Sequence, residues 1–87
     1  MGKSIYTITS PLMGTFYHAS NPDEAPLVKE GQHIETSSVV CIIESMKIFT
    51  ELRTEKSGLV RSILVENEEA VMKNQALIEI EVAADVC

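Results

Sequence analysis

Residues 28–44 read VKEGQHIETSSVVCIIE, and residues 65–81 read VENEEAVMKNQALIEIE. The two stretches align without a gap at an offset of 37 residues, which sets Val28 against Val65, Ile34 against Val71, Val40 against Leu77 and Ile43 against Ile80. Few residues are identical. What the stretches share is apolar spacing, which a repeated unit must keep if it is to bury the same face twice. Upstream, Ser10-Pro11-Leu12 matches Ser57-Gly58-Leu59 at an offset of 47, so ten extra residues are expected in the first half. With Phe16 and Tyr17 set against Ile63 and Leu64, the extra stretch is residues 18–27, HASNPDEAPL. It holds two of the three prolines and reads as a protruding loop.

Short segments rich in Val, Ile, Thr and aromatic residues flank and fill this repeat: 4–9, 15–17, 39–44, 48–52, 59–66 and 76–82. Residues 59–65 and 77–82 show alternation of apolar and polar side chains, as strands with one buried face do, and residues 39–43 are apolar throughout. No segment keeps an amphipathic helical period for three turns. The expected fold is therefore all-β, with two small antiparallel sheets related by a pseudo-two-fold axis. At 87 residues the chain can bury one core but not two, so residues 1–87 are expected to be a single domain, with its core over about 4–82 and the loop over about 18–27. The symmetry carries residue 47 onto residue 84. The turn after Glu44 and the C-terminal residues are thus expected at opposite poles.

Seven Lys and Arg against thirteen Asp and Glu give a net charge of −6, with the charges scattered. Nucleic acid is not an expected partner, because phosphate binding needs clustered cations. The longest apolar run, residues 39–43, is far too short to cross a membrane as a helix, and a soluble, unexported chain is expected. Cys41 and Cys87 form neither a disulfide framework nor a zinc spacing, which suits a reducing compartment; Cys41 is expected in the core and Cys87 as a terminal thiol. No metal is expected, and His18 and His33 read as solvated surface. Gly14, Gly31 and Gly58 read as backbone requirements at bends or turns. Asn21, Pro22 and Asp23 suit a turn. Glu66, Glu68 and Glu69 read as a solvated loop or as a patch that steers docking to basic partners.

Between the strand segments VVCIIE and IFTEL lies Ser45-Met46-Lys47, which is short enough to demand a tight hairpin connection. Such connections favour Asn-Gly, Asp-Gly or Gly where φ is positive, and none is present. An apolar Met and a long Lys at an exposed tip serve neither turn propensity nor solubility. Two readings fit: a tolerated turn with a solvated lysine, or a site kept for function at the expense of local rules. Without an acid–base partner or an apolar pocket the amine stays protonated, so it is a poor base. It remains an accessible amine that another enzyme could acylate, which would remove its charge and leave a long arm on the tip.

The residues ESMKI around Lys47 resemble the attachment motif of biotin carboxyl carrier proteins, whose usual core is Ala-Met-Lys-Met or Ala-Met-Lys-Leu. The resemblance runs from about residue 9 to 82 and includes SPLMGTFY, the loop with NPDEAP, VKEGQ, CIIESMKIFTEL and KSGLVRSILVEN. It implies the flattened β-barrel, or barrel-sandwich hybrid, of biotinyl and lipoyl domains. It also implies that biotin protein ligase joins biotin to Lys47 as an amide, with Met46 and Ile48 flanking the lysine and Glu44 read by the ligase. The loop would be the thumb of carriers that serve acetyl-CoA carboxylase. Ser45 and Ile48 depart from the usual motif. The implied role is that of a non-catalytic carrier. Biotin carboxylase would load a carboxyl group onto the biotin, using ATP and bicarbonate, and carboxyltransferase would pass it to acetyl-CoA, making malonyl-CoA for fatty acid biosynthesis. Such carriers work in the bacterial cytoplasm or the plastid stroma. A carrier of another biotin-dependent carboxylase or decarboxylase, or a lipoyl domain, which usually has Asp-Lys-Ala at the turn, are the alternatives, as is an interaction module with Lys47 unmodified.

Overall fold

A computed structural model describes residues 3–21 and 23–83, so Pro22, Cys87 and residue 84 lie outside the described residues. Eight strands follow in chain order: β1 (Lys3–Thr9), β2 (Gly14–Tyr17), β3 (His33–Ile34), β4 (Val39–Ser45), β5 (Ile48–Arg53), β6 (Gly58–Ile63), β7 (Ala70–Val71) and β8 (Ala76–Ala83). They form two four-stranded sheets, ordered β1-β8-β6-β3 and β5-β4-β2-β7, and every pairing is antiparallel. Among the described residues there is no helix. The all-β expectation holds, and so do the six segments, except that β6 stops at Ile63 rather than 66. The two-residue strands β3 and β7 carry no periodicity for a sequence reading to find.

The halves are equivalent in register. Gly14 faces Val71 as Gly58 faces Ile34, and Thr15 faces Glu44 as Leu59 faces Glu81. All four apolar pairs of the repeat are buried on both sides. The offset of 37 therefore holds over β3, β4, β7 and β8. Upstream the offset is 44 and not 47, because Gly14 corresponds to Gly58 and Phe16 to Val60. A Cβ on Gly14 would run into the Glu44 carbonyl oxygen, and one on Gly58 into that of Glu81, so the sheet leaves room only for glycine there. Ser10 and Thr54 are likewise equivalent: both are buried, and both hydroxyls donate to the carbonyl two residues on, of Leu12 and Lys56. Between Tyr17 and Val28 lie ten residues, 18–27, and between the equivalent Arg61 and Val65 lie three, 62–64, a net insertion of seven rather than ten.

Bulges explain how β4 can be apolar throughout. Its register slips between Val39 and Cys41, as that of β8 slips opposite Ile8 and Thr9, so Val40, Cys41 and Ile43 all enter the core with Phe16, Leu77, Ile78 and Ile80. Ile42 is buried on the other face, beside the inserted loop. Residues 18–27 close on themselves through the Leu27 amide donating to the His18 carbonyl at 2.8 Å. The Asp23 amide donates to Asn21 Oδ1 at 3.1 Å, and Ala19 is buried. At the far end of the molecule Lys3 pairs with Ala83. β1 runs from there to Thr9, and after four intervening residues Gly14 lies beside the Glu44 end of β4, which sets the β4–β5 turn at the pole away from Lys3 and Ala83.

Candidate functional site

Ser45 pairs with Ile48, so only Met46 and Lys47 connect β4 to β5. Their φ angles are 53° and 66°, which is the two-residue type I′ hairpin turn whose twist matches the flanking strands. Neither is a residue that relieves the Cβ clash of the left-handed region, so each adds to the strain of the turn. Met46 is 91% exposed and Ile48 67%. Lys47 is exposed too, and among the described residues no hydrogen bond or ion pair engages its amine. The tip thus presents a single lysine between two apolar side chains on a backbone fixed by six cross-strand pairs.

Glu44 and Ile42 share the outer face of β4 by strand alternation, and Phe49 of β5 and Tyr17 of β2 are their neighbours across the ladder. The Tyr17 hydroxyl donates to Glu44 Oε1 at 3.0 Å, and its ring lies 6.3 Å from that of Phe49, tilted by 42°. The Tyr17 phenol is held above its ordinary range, first by the hydrogen bond it gives Glu44, then by partial burial and by the negative charges of Glu44 and Glu68. Tyr17, Ile42 and Phe49 with His18, Ala19 and Asn67 line a cavity of about 270 Å³ between the sheet and the loop. His18 is half-buried there rather than solvated, because its amide donates to Asn67 Oδ1 at 3.0 Å and holds the loop base against the 66–69 turn.

Lys47, Met46, Ile48 and Glu44 therefore cluster at one tip, with Tyr17 and Phe49 added to the set. Neither addition was visible in the sequence: Tyr17 is 27 residues from Glu44, and an aromatic in a strand signals core before anything else. Elsewhere, Cys41 is fully buried, which pushes its thiol up to about 12. His33 is exposed, as expected, beside Glu35. Among the described residues no group of three His, Cys, Asp or Glu side chains could hold a metal ion, and no helix is long and apolar enough to cross a membrane.

The fold agrees with the family comparison, in which the model of the biotin-requiring enzyme (biotin/lipoyl) family matches residues 6–81. The chain belongs to this family. Relatives within it include the biotin carboxyl carrier protein of acetyl-CoA carboxylase from Nostoc sp., 46% identical over 78 residues, which cover 90% of this chain and 43% of the relative. The proteins of the same name from Porphyra purpurea and Pseudomonas aeruginosa are 43% identical over 75 residues and 41% identical over 73. These alignments cover 86% and 84% of this chain and 48% and 47% of the relatives. The chain spans about half the length of the curated relatives it matches.

Proposed function

We propose that the domain is the biotin carrier of an acetyl-CoA carboxylase and that Lys47 is its attachment residue. The observation that carries this reading is the tip itself: an exposed lysine, engaged by no side chain among the described residues, on a strained two-residue turn. The names of the similar proteins support the choice of carboxylase. The donor chemistry fits the cofactor. An exposed primary amine can form an amide with biotin on biotin protein ligase: ATP activates the biotin carboxylate as a mixed anhydride, the deprotonated amine attacks its carbonyl carbon, and the ATP-derived phosphate group leaves with the carboxylate oxygen. When bound, biotin supplies a ureido nitrogen that takes up and releases a carboxyl group.

The chain's own residues hold and present. The paired strands fix where the lysine stem begins, Met46 and Ile48 give the tip an apolar collar, and Glu44 offers the ligase a negative contact. No residue takes a catalytic part in this reading. Biotin carboxylase and carboxyltransferase are the partners, and tethering raises the local concentration of the carried group at both active sites. Residues 18–27 are the thumb. The compartment is the bacterial cytoplasm or the plastid stroma, in keeping with relatives that include bacterial and chloroplast proteins. Reconstitution with biotin carboxylase and carboxyltransferase tests the assignment: the biotinylated chain should support malonyl-CoA formation from acetyl-CoA, and support of propionyl-CoA carboxylation alone would assign it to another carboxylase.

A further inference from the structure

Glu44 stands directly before the turn residues' flanking Ser45, half-buried, with a tyrosine hydroxyl on one oxygen. Among the described residues no cation pairs with it; the ion pairs there are His33–Glu35 and Arg53–Glu51. A carboxylate has about four acceptor positions, so the Tyr17 bond leaves most of its capacity facing outward. The pseudo-symmetry supplies a control within the same molecule. In the second half the places of Phe49 and Ile42 are taken by Ile5 and Glu79, and that of Tyr17 by a bulge of Arg61 and Ser62 opposite Glu79, on the strand beside the equivalent Glu81. The fold accepts that outer face with no tyrosine–carboxylate bond, so the Tyr17–Glu44–Phe49 arrangement is not a demand of the architecture. It occurs in the half that carries the lysine turn.

We propose that Tyr17 is a positioning residue: its hydroxyl, with its ring braced on Phe49, fixes the Glu44 carboxylate as the acidic contact that receives a cationic side chain of the enzyme acylating Lys47. This rests on the reading of Lys47 as a biotin acceptor. A carboxylate already held in one rotamer loses less freedom when a partner docks, and the gain shows in binding of the chain rather than in the chemical step. Tyr17→Phe removes only the hydroxyl and keeps the ring against Phe49.

The test is steady-state biotinylation of the full chain by biotin protein ligase with biotin and ATP, across chain concentrations, for wild type, Tyr17→Phe, Glu44→Gln and the double variant. Tyr17→Phe should raise KM for the chain roughly three- to tenfold with kcat unchanged. Glu44→Gln should raise KM at least as much, and the double variant should match Glu44→Gln, because the hydroxyl acts through the carboxylate. A wild-type KM for Tyr17→Phe, a fall in kcat without a change in KM, or multiplied effects in the double variant would overturn the positioning role while leaving Lys47 as acceptor. No biotin on the wild-type chain would overturn both.

Discussion

Replacing Met46 and Lys47 together by Asn and Gly should make the domain more stable and useless as an acceptor. Both residues sit in the left-handed region, with φ of 53° and 66°, where an L side chain costs about 1–2 kcal/mol. Asn tolerates that region and Gly has no Cβ, so the exchange should return about 2–3 kcal/mol, less about 0.5–1 kcal/mol for the greater freedom of glycine in the unfolded chain. Little packing is lost, since both side chains are exposed. The net gain is about 1.5 kcal/mol. In a domain of this size each kcal/mol moves the thermal midpoint by roughly 4–8 °C, so thermal unfolding followed by circular dichroism should show a rise of roughly 6–12 °C. The single variant Met46→Asn should capture part of the rise and keep the acceptor lysine. An unchanged or lower midpoint for the double variant would refute the claim that the turn holds strain for the sake of its side chains.

Exchanging residues 18–27 for the Ser-Ile-Leu of residues 62–64 should leave a folded domain, since the second half closes with that connection, but should uncover Ile42; urea unfolding should show a loss of about 1–2 kcal/mol, and failure to fold would contradict the equivalence of the halves. Gly14→Ala should destabilise by about 1–3 kcal/mol through its clash with the Glu44 carbonyl, and Gly58→Ala should do the same against Glu81; a neutral result at either would contradict the close approach. In a Cys87→Ser chain, Cys41 should resist thiol reagents at pH 8 until the domain unfolds. Its folded-state thiol is raised to about 12 from an ordinary 9, so the unfolded chain releases the proton first and stability should fall as pH rises from about 9 toward 12. Replacing Cys41 by Ala should remove that part of the alkaline slope.

The repeat was legible because apolar spacing reports burial directly: Val28, Ile34, Val40 and Ile43 and their partners are all buried. The upstream alignment failed because it matched letters. Ser10-Pro11-Leu12 resembles Ser57-Gly58-Leu59, yet the equivalences are Ser10 with Thr54 and Gly14 with Gly58, set by a shared hydroxyl-to-carbonyl bond and a shared backbone approach. Neither leaves a mark in hydropathy. The strain at Met46 and Lys47 could be read from missing glycine and asparagine, since turn chemistry is local. The Tyr17–Glu44 bond could not, because it depends on which outer faces β2 and β4 share, and only the register decides that.

Whether Lys47 is the attachment point is read most directly by intact mass followed by peptide mapping. After incubation with biotin, ATP and biotin protein ligase, the chain should gain one biotinyl group, located on Lys47, and the Lys47→Arg chain should gain none. No gain on the wild type, or equal gain on both chains, would contradict the account.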